Sequence, residues 1–333
     1  MSKKKILKKI KAALAKNISW VVLLILCLVF YCYSNKFMSY QNIINILSQN
    51  AYVVIAGLGV SLIMISGAMD LSIGYMISCC IIICAKLNIE MGLPDSLSII
   101  ITIIAAIIFC LFNSVLSLKL KLPLLIASLG TMTIFQGLSF IVSDSHSFRG
   151  FSNGFKFWGQ GEVAGFPFPI ILMLVLFFLV DFMLKHTYFG RYIYSLGGNE
   201  DAAWLAGINV TKCRILISLI AGFFIGLGSV VLLSRMGTAQ STLGPGTEVT
   251  IITGVLLGGV SIQGGAGKLS GVLAGILIVS ILSNGMQLAG FNTYYQYVIK
   301  GIIMLLSIGL DVFLRNRRAT VKKVEEYNNE RKQ

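Results

Sequence analysis

Ten long apolar segments constrain this chain more than any other feature of its sequence. A helix needs about 20 mostly apolar residues to cross a bilayer, and segments of this kind recur along the whole chain. The sequence therefore predicts an all-α integral membrane protein of about ten transmembrane helices, of which the eighth is the shortest. The segments lie at 18–34, 50–67, 72–89, 97–118, 123–143, 167–185, 213–234, 247–260, 270–289 and 294–313.

Composition supports the same fold class. Of the 333 residues, 56% are hydrophobic and only 12% are charged, and the mean hydropathy is +0.85. Soluble domains carry about a quarter charged residues, so this chain has about half of their charge. Because no long polar stretch interrupts the apolar segments, we expect residues 1–333 to form a single transmembrane domain.

The basic residues predict the orientation of the helices. If the N-terminus is cytoplasmic, 21 of the 27 basic residues fall on the cytoplasmic side and five fall outside. This bias is typical of multi-pass proteins of a cell (plasma) membrane. It predicts a basic cytoplasmic N-terminus at 1–17, a cytoplasmic loop at 186–212 and a cytoplasmic tail at 314–333. We interpret the net charge of +14 as a signal of topology and of contact with membrane lipid, not of nucleic-acid binding.

The sequence offers no pattern for catalysis, for a metal or for a cofactor. The segment "SIQGGAGKLS" at 261–270 resembles a phosphate-binding loop, but Leu269 follows Lys268 where such a loop needs Ser or Thr. The two histidines, His146 and His186, are predicted on opposite sides of the membrane. The cysteines of "CCIIIC" at 79–84 lack nearby acidic or histidine partners, so we interpret them as small apolar residues.

Transport coupled to an ion gradient is the main alternative to an externally powered pathway. Secondary transporters place several ionisable residues near the middle of the membrane. Here the acidic candidates lie near the ends of apolar segments, and Lys300 can extend toward the membrane surface. This pattern disfavours an ion-coupled carrier of small polar solutes. A membrane interaction protein without transport activity is a third alternative.

A short helix is predicted at 199–206, between two apolar segments. Asn199 is a favourable N-cap, and Glu200 and Asp201 place negative charge in the first turn. Gly207 can end the helix in the left-handed conformation. A helix of about two turns is not stable alone in water, so it needs a partner surface. That surface is either the bilayer or a cytoplasmic protein that drives transport.

Three motifs in this order resemble the ribose-type permeases of ABC importers. They are "GAMDLSIG" at 67–74, "GGNEDAAWLAGINVTKCR" at 197–214, and the segment "VLLGGVSIQGGAGKLSG" that opens residues 255–306. The resemblance extends from about residue 40 to residue 313. It implies a permease like those of type II ABC importers, without catalytic activity and working as a homo- or heterodimeric pair. It also implies a cytosolic ATPase that holds ATP and Mg²⁺, and an external protein that delivers ribose or another monosaccharide.

The resemblance assigns roles to individual residues. Contact with the ATPase is expected within residues 197–208, at Gly198, Asn199, Glu200, Ala202, Ala203, Leu205 and Gly207. The chain departs from the family pattern at Asp201, where Ala is usual, and at Trp204, where Arg is frequent.

Two further groups of polar residues are candidates for the translocation pathway or its gate. Asp70 and Ser72 lie where the second apolar segment meets the third, and Asp70 is alternatively an N-cap of the third helix. Asn284, Asn292 and Tyr295 lie near the predicted outer ends of the last two helices. Amide and phenol groups suit sugar hydroxyls, although tyrosine is also common at membrane interfaces.

Two larger features remain open at the level of sequence. The glycine-rich breaks in segments 59–78 and 254–275 are similar, as expected if the chain contains duplicated halves. The polar and aromatic segment 143–169 is either a docking surface for an external partner or a loop that lies at the membrane interface.

Overall fold

The computed structural model describes residues 18–34 and 36–330, with side chains for all of these except residue 310 and residues 314–330. The predicted N-terminal segment 1–17 lies outside the described residues. The helices are α1 (Ile18–Tyr33), α2 (Tyr40–Ile65), α3 (Ile73–Ala85, continued by a π-helical turn at Lys86–Glu90), α4 (Asp95–Leu120), α5 (Leu124–Ser143), α6 (Asn153–Gln160), α7 (Phe168–His186), α8 (Tyr188–Gly198), α9 (Glu200–Leu205), α10 (Val210–Met236), α11 (Thr247–Leu257), α12 (Leu269–Leu288) and α13 (Thr293–Glu330).

The structure confirms an all-α fold for the membrane part. Among the described residues, eight helices are long and apolar enough to cross a bilayer, while α1 and α11 are apolar but shorter. Every predicted apolar segment overlaps one of these ten helices. A total of about ten crossings therefore stays a prediction, because it depends on how α1 and α11 lie in the membrane.

The largest error in a predicted helix start concerns α2, which begins at Tyr40 and not at residue 50. Its first turns contain polar residues that broke the apolar pattern. The structure satisfies them: Ser39 caps the helix by accepting from Asn42 N–H, and the Asn42 and Asn284 amides bind each other at 3.0 and 3.1 Å. Polar groups inside a bundle are tolerated when such partners are available.

The bundle has two distinct ends, which α7 separates by its 19 residues. We call the end that carries residues 186–212 the proximal end, and the end that carries residues 143–169 the distal end. At the distal end, β1 (Phe148–Arg149) pairs antiparallel with β4 (Thr238–Ala239), and β2 (Glu162–Val163) pairs with β3 (Phe166–Pro167).

Two of the central helices start inside the bundle. After α2, residues 66–72 turn back into the protein before α3 begins, and after α10, residues 237–246 do the same before α11. α11 has 11 residues, which cover about 16 Å and hence about half of the hydrocarbon core. The segment before α11 packs on the start of α3, where a Cβ added at Gly244 would lie 2.0 Å from Gly74 O.

The helix contacts follow an inverted repeat. α2 and α10 pack on each other at the centre of the bundle. α4 packs on α10, and its counterpart α12 packs on α2. In the same way α3 packs on α4 and α5, and its counterpart α11 packs on α12 and α13. Residues 40–143 and 210–313 therefore correspond. The predicted similarity of segments 59–78 and 254–275 was wrong in its pairing, because the break at 66–72 corresponds to the break at 237–246.

The first helix closes the bundle against its last third. α1 packs along α12, and Ser19 Oγ donates to Leu257 O at 2.7 Å, at the end of α11. The largest set of fully buried side chains lies along α2 and α3, at the centre of the bundle.

The distal segment contains a helix that the sequence did not predict. α6 packs on the end of α10, where Ser234 Oγ donates to Phe155 O and accepts from Gly159 N–H at 2.8 and 2.7 Å. Gly159 is required there, because an added Cβ would lie 2.3 Å from Arg235 N. Segment 143–169 is thus a packed distal cap, while its role as a docking or interfacial surface stays open.

Candidate functional site

The short proximal helix forms as predicted. α9 spans Glu200–Leu205, and the Asn199 side chain caps it by accepting from Ala202 N–H at 2.9 Å. Gly207 ends the turn with a φ of +84°, in the left-handed region that glycine adopts without strain. The local signals of cap, acidic first turn and glycine stop were sufficient to predict this element.

The faces of α9 differ in what they contact. Ala203 is buried within the chain itself, whereas Ala202 is exposed. Trp204 and Leu205 are 66% and 77% exposed, an unusual state for two adjacent large apolar side chains outside the membrane spans. Exposed apolar patches of this kind mark interaction surfaces. Ala203 therefore packs α9 onto the bundle, and Trp204 and Leu205 are available for a partner.

A second proximal helix, α8, precedes α9 and was not predicted from the sequence. Thr187 caps it by accepting from Gly190 N–H at 3.2 Å, and its buried residues are Gly190, Ile193 and Leu196. This three-residue spacing is the signal of an amphipathic helix that the polar composition concealed. Tyr194 Oη donates to Gly267 O at 2.9 Å, and burial raises the pKa of the Tyr194 phenol, which keeps it a neutral donor.

Glycines let three chain segments cross where α8 ends. Gly265 N–H donates to Ile65 O at 2.8 Å, which joins the loop before α12 to the end of α2. A Cβ on Gly197 would lie 1.9 Å from Ile65 O and 2.4 Å from Gly265 N. Gly198 has nothing within 4 Å of its added Cβ. The two adjacent glycines of the motif thus differ: Gly197 is needed for packing, and Gly198 borders open space.

An ion pair ties α9 to α10. Arg214 Nη2 donates to Glu200 Oε2, and the two side chains are 22% and 48% exposed. From the sequence, Glu200 was predicted to interact with the helix dipole and to contact the ATPase, and its partner Arg214 was not identified. The partner lies 14 residues away, across the turn between two helices, so no local spacing rule indicates it.

Asp70 and Ser72 form a buried polar cluster with a residue that was not predicted. Asp70 Oδ1 accepts from Ser72 N–H and Oγ at 2.8 and 2.6 Å, and Asp70 Oδ2 accepts from Asn113 Nδ2 at 2.9 Å. Ser72 occupies the N-cap position of α3. Asp70 therefore binds Ser72, the N-cap residue of α3. Asp70 was alternatively predicted to be the N-cap itself, but it does not bind an N–H of the first helical turn.

The cluster has one unpaired atom. Asn113 Oδ1 is buried and has no hydrogen-bond partner among the described residues. Asn113 lies in α4, where it is the lone amide in a long apolar segment. A polar side chain in that setting commonly joins helices, which is the signal that would have identified it.

A second carboxylate lies at the corresponding place in the other repeat. Both carboxylate oxygens of Glu248 accept from Gly246 N–H, at 3.0 and 2.9 Å, at the start of α11. Gly74 makes room for this side chain, since an added Cβ would lie 1.8 Å from Glu248 Oε2. The N-termini of α3 and α11 carry partial positive charge. The chain thus places one of its own carboxylates at each of these N-termini, Asp70 at α3 and Glu248 at α11.

A polar cavity of about 600 Å³ opens at the distal end between α2, α6, α10, α12 and α13. Its polar lining consists of amides, hydroxyls and the guanidinium of Arg235, which donates to Ser48 Oγ at 2.9 Å. Among the described residues, no carboxylate lines it. The lining residues are Gln49, Asn50, Tyr52, Gln160, Leu232, Arg235, Met236, Ser280, Ser283, Asn284, Gln287 and Gln296.

The predicted outer pathway residues separate in the structure. Asn284 lines the cavity. Asn292 is exposed and accepts from Tyr294 N–H at 3.2 Å at the start of α13, and Tyr295 is 60% exposed on that helix. Among the side chains that the structure describes, no group of three or more histidine, cysteine or acidic residues is placed to hold a metal ion.

The chain is similar to known membrane transport proteins over most of its length. It is 36% identical over 291 residues to the ribose import permease protein RbsC of Bacillus subtilis, covering 87% of this chain and 90% of that protein. It is 33% identical over 306 residues to RbsC of Escherichia coli K12, covering 90% and 95%. It is 30% identical over 324 residues to the fructose import permease protein FrcC of Rhizobium meliloti, covering 94% and 90%.

No solved structure matches the chain. The relatives confirm the resemblance of the three motifs to the ribose-type ABC permeases. A family described as "Branched-chain amino acid transport system / permease component" matches residues 42–308, from the first turn of α2 into α13. The chain therefore belongs to the family of branched-chain amino acid transport system permease components.

Proposed function

We propose that this chain is the membrane-spanning permease subunit of an ATP-driven importer and that it carries a neutral monosaccharide, ribose-like or similar. The subunit has no catalytic role and binds no cofactor. ATP and Mg²⁺ belong to a cytosolic ATPase that docks on residues 197–208, and an external binding protein delivers the sugar. Two copies of the permease, or this chain and a homologous one, form the pathway. Family membership favours this function over an ion-coupled carrier.

The distal cavity is the observation that carries the choice of substrate. The family description names branched-chain amino acids, while the relatives above import ribose or fructose. A zwitterionic amino acid needs an anionic partner for its ammonium group and an apolar pocket for its side chain. Among the described residues the cavity offers no carboxylate for an ammonium group. It supplies amides and hydroxyls, which donate to and accept from neutral sugar hydroxyls, and the Arg235 guanidinium, which donates to them.

The interior carboxylates support the same choice. Free N-termini of half-membrane helices are a common site for the carboxylate of a substrate. Here Asp70 binds at the start of α3 and Glu248 at the start of α11. Since both positive helix ends already have a carboxylate, the interior favours an uncharged solute.

Uptake by cells that contain or lack this chain tests the proposal. Labelled monosaccharides and labelled branched-chain amino acids are compared, after ATP depletion or after addition of an uncoupler. We expect chain-dependent uptake of a monosaccharide that ends with ATP depletion and survives uncoupling. Uptake that fails on uncoupling while ATP persists would assign an ion-coupled carrier, and uptake of amino acids alone would overturn the substrate class.

Gln287→Ala tests the role of the cavity. Loss of one neutral hydrogen bond costs about 0.5–1.5 kcal/mol, so we expect the sugar concentration for half-maximal uptake to rise about two- to twelve-fold. Gln41→Ala is the matched control, since Gln41 is exposed near the start of α2 at the same end. Equal effects of the two substitutions, at equal amounts of protein in the membrane, would remove the cavity from the pathway.

A further inference from the structure

We propose that the ion pair between Glu200 and Arg214 is the mechanical link that passes movement of α9 to the membrane helices. Arg214 is then a positioning residue for energy coupling, although it lies outside residues 197–208, on which the ATPase is proposed to dock. The inference rests on the proposed function, since it requires an ATPase that moves α9.

The first argument is that α9 has few connections to the bundle. A helix of six residues has little stability of its own. The chain enters it through Asn199, an extended residue, and leaves it through Gly207 at φ +84°. The buried side chain of α9 is Ala203. The methyl group of alanine transmits compression between packed surfaces, but it forms no directional bond that resists their separation. A contact that also resists separation of α9 from the bundle has to be a hydrogen bond or an ion pair.

The second argument is that this pair differs from the other ion pairs. Lys86–Glu90 and Lys185–Asp181 each join residues four apart on one helical stretch. Within the described side chains, Glu200–Arg214 is the ion pair that joins two separate helices. Arg214 lies in the second turn of α10, which packs on both α2 and α4. A displacement of Glu200 is therefore applied directly to the central helix of the bundle.

The third argument is the surroundings of the guanidinium. Arg214 Nε is buried without a partner among the described residues and borders a cavity of about 20 Å³. That space is enough for one water molecule. Hydroxyls from three helix ends line it, namely Ser66 after α2, Ser114 and Ser117 on α4, and Ser218 on α10.

This cavity brings Arg214 close to the buried cluster at the start of α3. Ser114 directly follows Asn113, which binds Asp70. One side of the guanidinium thus holds α9, and the other borders the junction from which the half-membrane helix starts. Movement of α9 by a partner would shift a charged group that is packed at this junction.

Neutral variants of the pair test the link in the full complex with its ATPase, reconstituted in liposomes. Arg214→Gln should leave ATPase copurification and ATP hydrolysis intact while sugar imported per ATP falls about ten-fold. Glu200→Gln removes the same contact from within the docking residues 197–208, and sugar imported per ATP hydrolysed by the assembled complex should fall equally. The double variant should fall no further than either single variant, because both remove the same contact. Arg214→Lys keeps the charge and should retain most of the import.

The matched control is Asp181→Asn with Lys185→Gln, which removes an ion pair on α7 at the same proximal end. Import per ATP should equal that of the unmodified chain. Single variants that import normally would overturn the link, as would additive losses in the double variant. An unmodified complex that neither hydrolyses ATP nor imports sugar would refute the proposed function itself.

Discussion

Replacing Gly197 by alanine tests the crossing of chain segments at the proximal end. The added Cβ would lie 1.9 Å from Ile65 O, whereas real Cβ atoms essentially never approach within 3.0 Å, so the segments must separate by about 1 Å. The hydrogen bond from Gly265 N–H to Ile65 O, now 2.8 Å, would then exceed the range of hydrogen bonding. Overpacking costs about 1–3 kcal/mol and the lost bond about 1 kcal/mol.

We therefore expect Gly197→Ala to lower the free energy of unfolding by about 2–4 kcal/mol. Gly198→Ala is the matched control, since its Cβ meets nothing within 4 Å and should change the value by less than about 0.5 kcal/mol. Unfolding by a denaturing detergent, followed by tryptophan fluorescence of the purified protein, measures both. Equal stability of the two variants would refute the reasoning, because it would show that the crossing relaxes without cost.

Two further predictions follow from the buried cluster and from the topology. Ser72→Ala removes one donor from the buried Asp70 carboxylate and should cost about 1–3 kcal/mol in the same unfolding assay. Ser61→Ala is its control and should cost less than about 0.5 kcal/mol, because Ser61 Oγ donates to a carbonyl of its own helix. A cysteine replacing Trp204 should be inaccessible to an impermeant thiol reagent added outside the cell, and one replacing Lys156 should be accessible. The opposite labelling pattern would reverse the orientation.

Local signals were sufficient for the elements that the sequence predicted correctly. The apolar segments specify helices because burial in lipid needs continuous apolar surface and internally satisfied backbone groups. α9 was predicted to within a residue because Asn199, the acidic first turn and Gly207 act within one turn of each helix end. For the membrane helices and for α9, the residues that carry the signal lie within the predicted element or next to it in the sequence.

The features that were missed depend on contacts between distant residues. The re-entry at 237–246 exists because Gly244 packs against Gly74, about 170 residues away along the chain. Arg214 and Asn113 have their roles through partners on other elements, Glu200 and Asp70. Glycine content suggested the wrong pairing of repeats, because the repeat is defined by which helices pack together and not by which loops contain glycine.

The hydrogen bond between Ile65 and Gly265 also has a consequence for how the protein is made. At about 5–20 residues per second, a ribosome needs about 10–40 s to synthesise the chain that separates these two residues. α1 lacks its partner for longer still, because Ser19 bonds to Leu257, 238 residues later in the chain, and α1 packs on α12. During this interval the proximal end of α2 lacks its partner Gly265, and we expect the incomplete bundle to be a substrate for membrane proteases. Quality control of this protein therefore depends on its last third, and truncations before residue 257 should be degraded even though their own helices have been inserted.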